Sequence, residues 1–306
     1  MKKTAFIFPG QGSQSVGMGL DLYENFETAK NVFNLADKVL NKKISKICFE
    51  GPEEELKQTV NTQPAILITS IAALEVLKSK IGIVPVYTAG HSLGEYAAYY
   101  AAGAISLEDA LILIQKRAEL MSEVKGGAMA AVLNSDENTI KECIQQVDGY
   151  VDIANYNSPK QIVITGDENA VKKVSDLLIE KGVKRVVPLA VSGAFHSKYM
   201  ENAGKKFAEF INGINIKETE IPVVTNVDAE FTKSDFKEKM PKQIYSSVLW
   251  TQSIEKMVKN GIETFIEFGN GTVLAGLNKK INPNITTINI SNKETLENAV
   301  KILSEV

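Results

Sequence analysis

The stretch Gly90-His91-Ser92-Leu93-Gly94 has the form G-x-S-x-G. The apolar run at 83–89 before it predicts a buried strand, and the alanine-rich run at 96–102 after it predicts a helix. A serine on a sharp strand-to-helix turn needs small neighbours, and the N–H groups that begin the helix favour an alkoxide or an oxyanion there. We therefore predict that Ser92 is a nucleophile in an α/β fold. A glycine-rich turn whose serine only caps the helix is the alternative.

Length and composition predict a globular enzyme with one large domain, or with a large domain and a smaller insert. The 306 residues are 44% hydrophobic and 23% charged, and a net charge of −3 without a basic block argues against a nucleic-acid partner. Cys48 and Cys143 have no metal or redox spacing, which predicts a reduced, cytoplasmic protein without a metal site. No stretch approaches the length of a membrane span, so we expect no membrane contact.

The order of elements predicts a parallel sheet whose carboxyl edge holds the site. Thr4–Phe8 predicts a first strand, and the glycine-rich loop after it lacks the third glycine of a dinucleotide fingerprint. A long amphipathic helix is predicted over 65–78, with Gln63 at its start as a cap or facing the site. A later helix carries Arg117 near its middle. This side chain either belongs to the site or snorkels, with its charged end in solvent.

Residues 126–191 predict a separate small module. Their pattern reads strand, helix, strand, strand, helix, strand, which is the order of a ferredoxin-like unit. We interpret this segment as a small domain inserted into a large α/β domain, which is formed by residues 1–125 and 192–306.

A serine hydroxyl needs a base to attack at neutral pH, and the chain contains only two histidines. His91 adjoins Ser92 on the tight turn, so the two side chains cannot easily aim at each other. His196 lies in a glycine- and serine-rich turn just after the small module. We predict that His196 is the base; a helix-capping or surface histidine is the alternative.

Four motifs together resemble the malonyl-CoA:acyl-carrier-protein transacylases, an acyltransferase family of fatty acid and polyketide synthesis. They are FPGQGSQ at 8–14, GHSLGEYAA at 90–98, QKRA at 115–118 and GAFHS at 193–197. The order and spacing of the motifs match the family over nearly the whole chain. The resemblance implies an α/β-hydrolase-like large domain with a parallel sheet, and an inserted ferredoxin-like (βαββαβ) small domain.

The resemblance also implies how the reaction is catalysed. Ser92 would take the malonyl group from CoA as an ester, with His196 as the base and later as the acid. The backbone N–H groups of Gln11 and Leu93 would form the oxyanion hole. A backbone carbonyl, which we assign to Leu249, would orient the histidine.

Substrate recognition is implied by the same resemblance. Arg117 would pair with the malonyl carboxylate, and a planar guanidinium can hold a carboxylate with two charge-assisted hydrogen bonds. Gln63, Phe195 and His91 would line the pocket, and a phenylalanine before the histidine accompanies malonyl preference in the family. The partners would be malonyl-CoA and holo acyl carrier protein, with no cofactor, and we expect a monomer in the cytoplasm.

Two other functions remain open from the residues alone. A serine esterase or thioesterase on the same fold would need a triad acid between Ser92 and His196. The aspartates available there are Asp109, Asp136, Asp152, Asp167 and Asp176. A non-catalytic module that binds acyl groups or nucleotides would leave His196 with a structural role.

Overall fold

A computed structural model describes residues 3–191 and 193–304 of the chain; Ser192, at the predicted start of the second large-domain segment, lies outside them. The larger sheet has six strands. In spatial order they are β10 (Thr286–Ile290), β9 (Thr264–Phe268), β1 (Thr4–Phe8), β2 (Tyr87–Gly90), β7 (Val223–Val224) and β8 (Phe231–Thr232). The first five are parallel, and β8 pairs antiparallel with β7. The α/β prediction is confirmed.

Helices cover the larger sheet, and the central strands β1 and β9 are buried at every position. Burial from both faces explains why these strands are nearly continuous apolar runs. The helices outside the small sheet are α1 (Leu20–Asn25), α2 (Glu27–Val39), α3 (Ile44–Glu50), α4 (Glu53–Leu56), α5 (Thr59–Lys80), α6 (Gly94–Ala102), α7 (Leu107–Glu123), α10 (Glu201–Ile211), α11 (Phe236–Tyr245), α12 (Trp250–Lys259), α13 (Val273–Ile281) and α14 (Lys293–Ser304), with a 3₁₀ turn at Lys198–Met200.

Helix α5 begins six residues before the predicted start. The backbone N–H groups of Asn61 and Thr62 both donate to the Gln58 carbonyl, which continues the helix through Pro64 instead of starting it there. By length and composition α5 could also cross a membrane, contrary to the sequence-based expectation, but 89% of its most apolar 18-residue window is buried within the protein. Packing in the core accounts for its apolar character.

The smaller sheet is antiparallel, in the order β4 (Val151–Ser158), β5 (Gln161–Gly166), β3 (Ala128–Leu133) and β6 (Arg185–Pro188). With α8 (Glu137–Gln145) and α9 (Glu168–Glu180) it has the predicted βαββαβ order and a hydrophobic cluster of its own. The domain boundaries at 126 and 191 stay a prediction. The sequence predicts β4 only over 151–154, but the strand continues to Ser158 because Tyr156 and Ser158 pair with β5. The Tyr156 N–H also donates to the Val248 carbonyl at 2.9 Å, in the segment just before α12.

The turn between β2 and α6 explains the glycines of the G-x-S-x-G motif. Ser92 has a φ of 51°, a left-handed conformation that non-glycine residues rarely adopt. A Cβ on Gly90 would lie 1.9 Å from the Gly94 carbonyl carbon, and a Cβ on Gly94 would lie 2.2 Å from the Phe8 carbonyl oxygen. Only glycine at both positions lets strand, turn and helix approach this closely.

Candidate active site

Ser92 and His196 meet at the carboxyl edge of the larger sheet. The Ser92 Oγ lies 2.8 Å from the His196 Nε2. The Nδ1 of the same ring lies 2.9 Å from the Gln243 carbonyl and 3.1 Å from that of Ser246. Because carbonyl oxygens only accept hydrogen bonds, Nδ1 carries the proton and Nε2 is left with a lone pair. The pair therefore has the geometry of a nucleophile and its base.

The assignment of Leu249 as the residue that orients His196 is wrong. The Leu249 carbonyl begins α12 and accepts hydrogen bonds from the N–H and the hydroxyl of Ser253, at 3.0 and 2.7 Å. The orienting carbonyls instead come from the last turn of α11, at Gln243, and from Ser246 just after it. Carbonyls in the last turn of a helix have no partner within the helix, so they are free to hold a side chain.

No carboxylate accepts a hydrogen bond from His196 within the described parts of the chain. Of the candidate triad acids, the Asp109 carboxyl accepts from the Ser106 hydroxyl, the Asp136 carboxyl accepts from the first turn of α8, and the Asp167 carboxyl accepts the Tyr150 N–H. The arrangement is thus a Ser–His pair oriented by main-chain carbonyls. A triad in the α/β-hydrolase order has no support in this geometry.

His196 is only 5% exposed, and this burial sets its protonation state. Desolvation, and after it the positive charge of Arg117, lowers the pKa of His196 to about 3. The two carbonyl contacts act in the opposite direction but are weaker. The imidazole is consequently neutral throughout the physiological range, which is the form that a general base requires.

The Arg117 guanidinium is fully buried against the nucleophile, so the snorkelling alternative is wrong. One terminal nitrogen donates to the Gln63 Oε1 at 2.7 Å, and the other donates to the Gln243 Oε1 at 2.9 Å and to the Ser92 Oγ at 3.0 Å. All three acceptors are neutral, and in the described residues no carboxylate lies within 4 Å of this cation. A buried charge of this kind is a strong attractor for an anionic ligand.

Two backbone N–H groups near Ser92 are free to bind an oxyanion. Neither Gln11 nor Leu93 donates its N–H to another group of the described chain. The loop that carries Gln11 lies against the turn between β2 and α6, the nucleophile elbow. A Cβ on Gly10 would come within 2.6 Å of the His91 carbonyl oxygen. The geometry agrees with an oxyanion hole at these two positions, which stays a prediction.

The other predicted pocket residues differ in their contacts. Gln63 is 1% exposed and touches Arg117, whereas neither Phe195 nor His91 bonds to the reacting groups. The Phe195 ring belongs to the main hydrophobic core, and the His91 Nε2 lies 2.7 Å from the Asn157 Oδ1 on β4. Their roles in substrate binding therefore stay predictions.

Sequence reasoning missed two residues that contact the nucleophile, Gln243 and Asn226. The Gln243 Nε2 donates to the Ser92 carbonyl at 2.6 Å, and the Asn226 Oδ1 accepts the Ser92 N–H at 2.8 Å. A signal existed for Asn226: the apolar run at 221–225 predicts a strand, and the residue after a parallel strand lies at the carboxyl edge of the sheet. Gln243 lies in a polar helix where nothing in the local pattern sets it apart.

We predict that His196 stays neutral, with the proton on Nδ1, from pH 8 down to pH 5. Nitrogen-detected NMR of the imidazoles measures this directly, because the chain has only two histidines and a His91→Gln variant assigns them. An ordinary histidine titrates near pH 6.5. With a pKa of about 3, the loss of the neutral form falls below this window. A His196 midpoint between pH 6 and 7 would contradict the electrostatic description of the site.

Comparisons with known proteins agree with this geometry. A family model for the acyl transferase domain matches residues 5–283. A malonyl CoA-acyl carrier protein transacylase of Bacillus subtilis (strain 168) is 48% identical over 313 residues, which cover 100% of this chain and 98% of the relative. The solved transacylase of the same name from Clostridium perfringens has a TM-score of 0.94 at 38% identity, covering 99% of this chain and 98% of that one. A malonyl-transacylase solved in complex with its type II PKS acyl-carrier protein has a TM-score of 0.95 at 36% identity, covering 98% and 100%.

Proposed function

The chain belongs to the acyl transferase family, and we propose that it is a malonyl-CoA:acyl-carrier-protein transacylase. It would move the malonyl group from malonyl-CoA to the phosphopantetheine thiol of an acyl carrier protein. One observation carries the proposal: the Ser92 Oγ lies between a neutral imidazole that accepts its proton and a buried guanidinium that pairs with no carboxylate among the described residues. The first contact makes a nucleophile, and the second selects an acyl group that bears a negative charge.

The first half of the reaction acylates the enzyme. As the Ser92 Oγ attacks the thioester carbonyl, the His196 Nε2 takes the hydroxyl proton. The carbonyl oxygen becomes an oxyanion held by the N–H groups of Gln11 and Leu93. The carbon–sulfur bond then breaks, and His196 returns the proton to the CoA sulfur. A malonyl ester of Ser92 remains.

The second half reverses these steps with a different thiol. CoA leaves, and the thiol of the acyl carrier protein gives its proton to His196 while its sulfur attacks the serine ester. The tetrahedral oxyanion occupies the same hole, the ester bond breaks, and the proton passes to the Ser92 Oγ. Donor and acceptor thus use one site in turn, which predicts ping-pong kinetics.

Arg117 has a different partner at each stage. In the free enzyme one of its N–H groups donates to the Ser92 Oγ, which supports negative charge on that oxygen. Once Ser92 is acylated, the ester oxygen is a poorer acceptor. The N–H groups of the guanidinium that are then free donate to the malonyl carboxylate. The Gln63 and Gln243 amides keep the plane of the guanidinium fixed during this exchange.

Four further features complete the proposal. The product would supply malonyl units for fatty acid synthesis, as the resemblance implies. Thiol-to-thiol acyl transfer balances with Ser92 and His196 alone, so we propose that no cofactor takes part. We also propose that the enzyme acts as a monomer in the cytoplasm, where its two buried cysteines stay reduced.

We predict that Arg117→Ala lowers kcat/KM for malonyl-CoA by at least about 100-fold while transfer from acetyl-CoA persists or rises. Two charge-assisted hydrogen bonds contribute roughly 1.5–3 kcal/mol each, and acetyl has no carboxylate to lose them. Steady-state assays with both donors and holo acyl carrier protein measure the ratio. Arg117→Lys is the matched control, because it keeps the charge but loses the planar fork. Its kcat/KM for malonyl-CoA should lie between those of the wild type and Arg117→Ala. Equal losses for malonyl and acetyl would exclude the pairing role.

The function itself is tested by two-substrate kinetics on the whole chain. We expect parallel lines in double-reciprocal plots when malonyl-CoA is varied at several fixed concentrations of holo acyl carrier protein. We also expect Ser92→Ala to abolish the formation of malonyl carrier protein. Release of free malonate at the same rate with and without the carrier protein would instead identify a thioesterase.

A further inference from the structure

Asn226 bridges the two sides of the nucleophile turn. Its Oδ1 accepts the Ser92 N–H at 2.8 Å, and its Nδ2 donates to the Gly90 carbonyl at 2.7 Å. Asn226 is fully buried and lies two residues after the end of β7, the neighbour of β2 in the sheet. One carboxamide therefore satisfies a donor and an acceptor that belong to the same strained turn.

Asn226 is itself held in place by residues of α6. Its backbone N–H donates to the Glu95 Oε2 at 2.5 Å, and the Tyr99 hydroxyl donates to the other oxygen of that carboxyl group at 2.5 Å. Both residues are on α6, the helix that follows Ser92, and both are fully buried. Turn, helix and the end of the neighbouring strand are thus connected by one continuous set of buried hydrogen bonds.

The bridge has two consequences for Ser92. A left-handed φ of 51° is unfavourable for serine, so it persists only where the surroundings enforce it. The bridge also occupies the Ser92 N–H while the N–H of Leu93 stays free, which determines which amide of the elbow is available to an oxyanion. Without the bridge a buried donor and a buried acceptor would both lack partners, and the turn would relax toward other conformations.

We propose that Asn226 is a positioning residue for the nucleophile: it fixes the backbone conformation that aims the Ser92 Oγ at His196. The inference rests on the proposed role of Ser92 but not on the identity of the acyl group. Asn226 makes no hydrogen bond to Arg117, Gln63 or His196; its one contact with their partners is a long one, in which the Gln243 Nε2 donates to its Oδ1 at 3.4 Å. Its effect should therefore fall mainly on the reactivity of the serine and much less on recognition of malonyl.

The test measures serine reactivity with a probe that has no malonyl group. A fluorophosphonate reacts with an activated serine: the Oγ bonds to phosphorus, fluoride leaves, and His196 accepts the proton. We expect Asn226→Ala to slow labelling of Ser92 by about 10- to 100-fold, because small misplacements of a reacting group have effects of this size. We expect kcat for malonyl transfer to fall in parallel while KM for malonyl-CoA stays within about three-fold.

The matched control is Asn278→Ala. Asn278 is also fully buried and makes two side-chain hydrogen bonds, to Trp250 and Thr287, but it does not touch the elbow. It should lower the melting temperature and leave the labelling rate of the folded protein within about two-fold. A folded Asn226→Ala protein that labels as fast as the wild type would overturn the inference.

A measurement on the wild-type protein decides the question if Asn226→Ala does not fold. Amide hydrogen exchange followed by NMR should show the Ser92 N–H protected and the Leu93 N–H exchanging much faster. Equal exchange rates at the two amides would overturn the inference that Asn226 holds the Ser92 N–H. Failure of the proposed function looks different: a wild-type enzyme that labels at Ser92 and shows this protection, yet transfers no malonyl, refutes the transfer and supports the role of Asn226.

Discussion

The guanidinium of Arg117 is buried beside a serine hydroxyl, and its three acceptors in the described chain are neutral oxygens; the chemistry of the site depends on this placement. The desolvation of a charge without a paired carboxylate is unfavourable, so the site binds an anion readily. Burial, and after it the same positive charge, lowers the pKa of His196 and keeps the imidazole neutral. Burial of the site thus sets the protonation state of the base, while the cation within it selects the acyl group.

Gln243 connects the parts of this site. Its side chain accepts from Arg117 and donates to the Ser92 carbonyl, and its own carbonyl holds the His196 ring. A helix end that lies across the carboxyl edge of the sheet thus reaches the nucleophile, the base and the cation together. The partners of Gln243 lie on three separate segments of the chain. The geometry of these contacts therefore depends on the packing of α11 and α7 against the sheet and not on any local motif.

The sequence predicted what local physics determines. Thr4–Phe8 is a buried strand as its apolar run indicates, and the glycines around Ser92 stand where a Cβ would clash with backbone. The scarcity of histidine predicted the partner of Ser92, because only His196 could reach it. The βαββαβ order was visible in the spacing of apolar runs, although the last part of β4 was not, since the polar stretch at 155–158 before Pro159 is typical of a turn and yet pairs with β5.

Contacts between distant segments were beyond sequence reasoning. The resemblance indicates Leu249 as the orienting residue, but which carbonyl faces His196 depends on where α11 ends, and helix ends are poorly marked in a polar segment. Asn226 could be placed at the right edge of the sheet, yet its two bonds to the elbow require the register between β2 and β7. Each contact that the sequence did not predict is a hydrogen bond between residues far apart in the chain.

We predict a covalent malonyl group on Ser92, and intact-protein mass spectrometry tests this most directly. The protein is mixed with malonyl-CoA, measured, and then mixed with holo acyl carrier protein and measured again. We expect one malonyl adduct that maps to Ser92, is absent from Ser92→Ala, and passes to the carrier protein. An adduct on another residue, no adduct, or an adduct lost only to water would contradict the account.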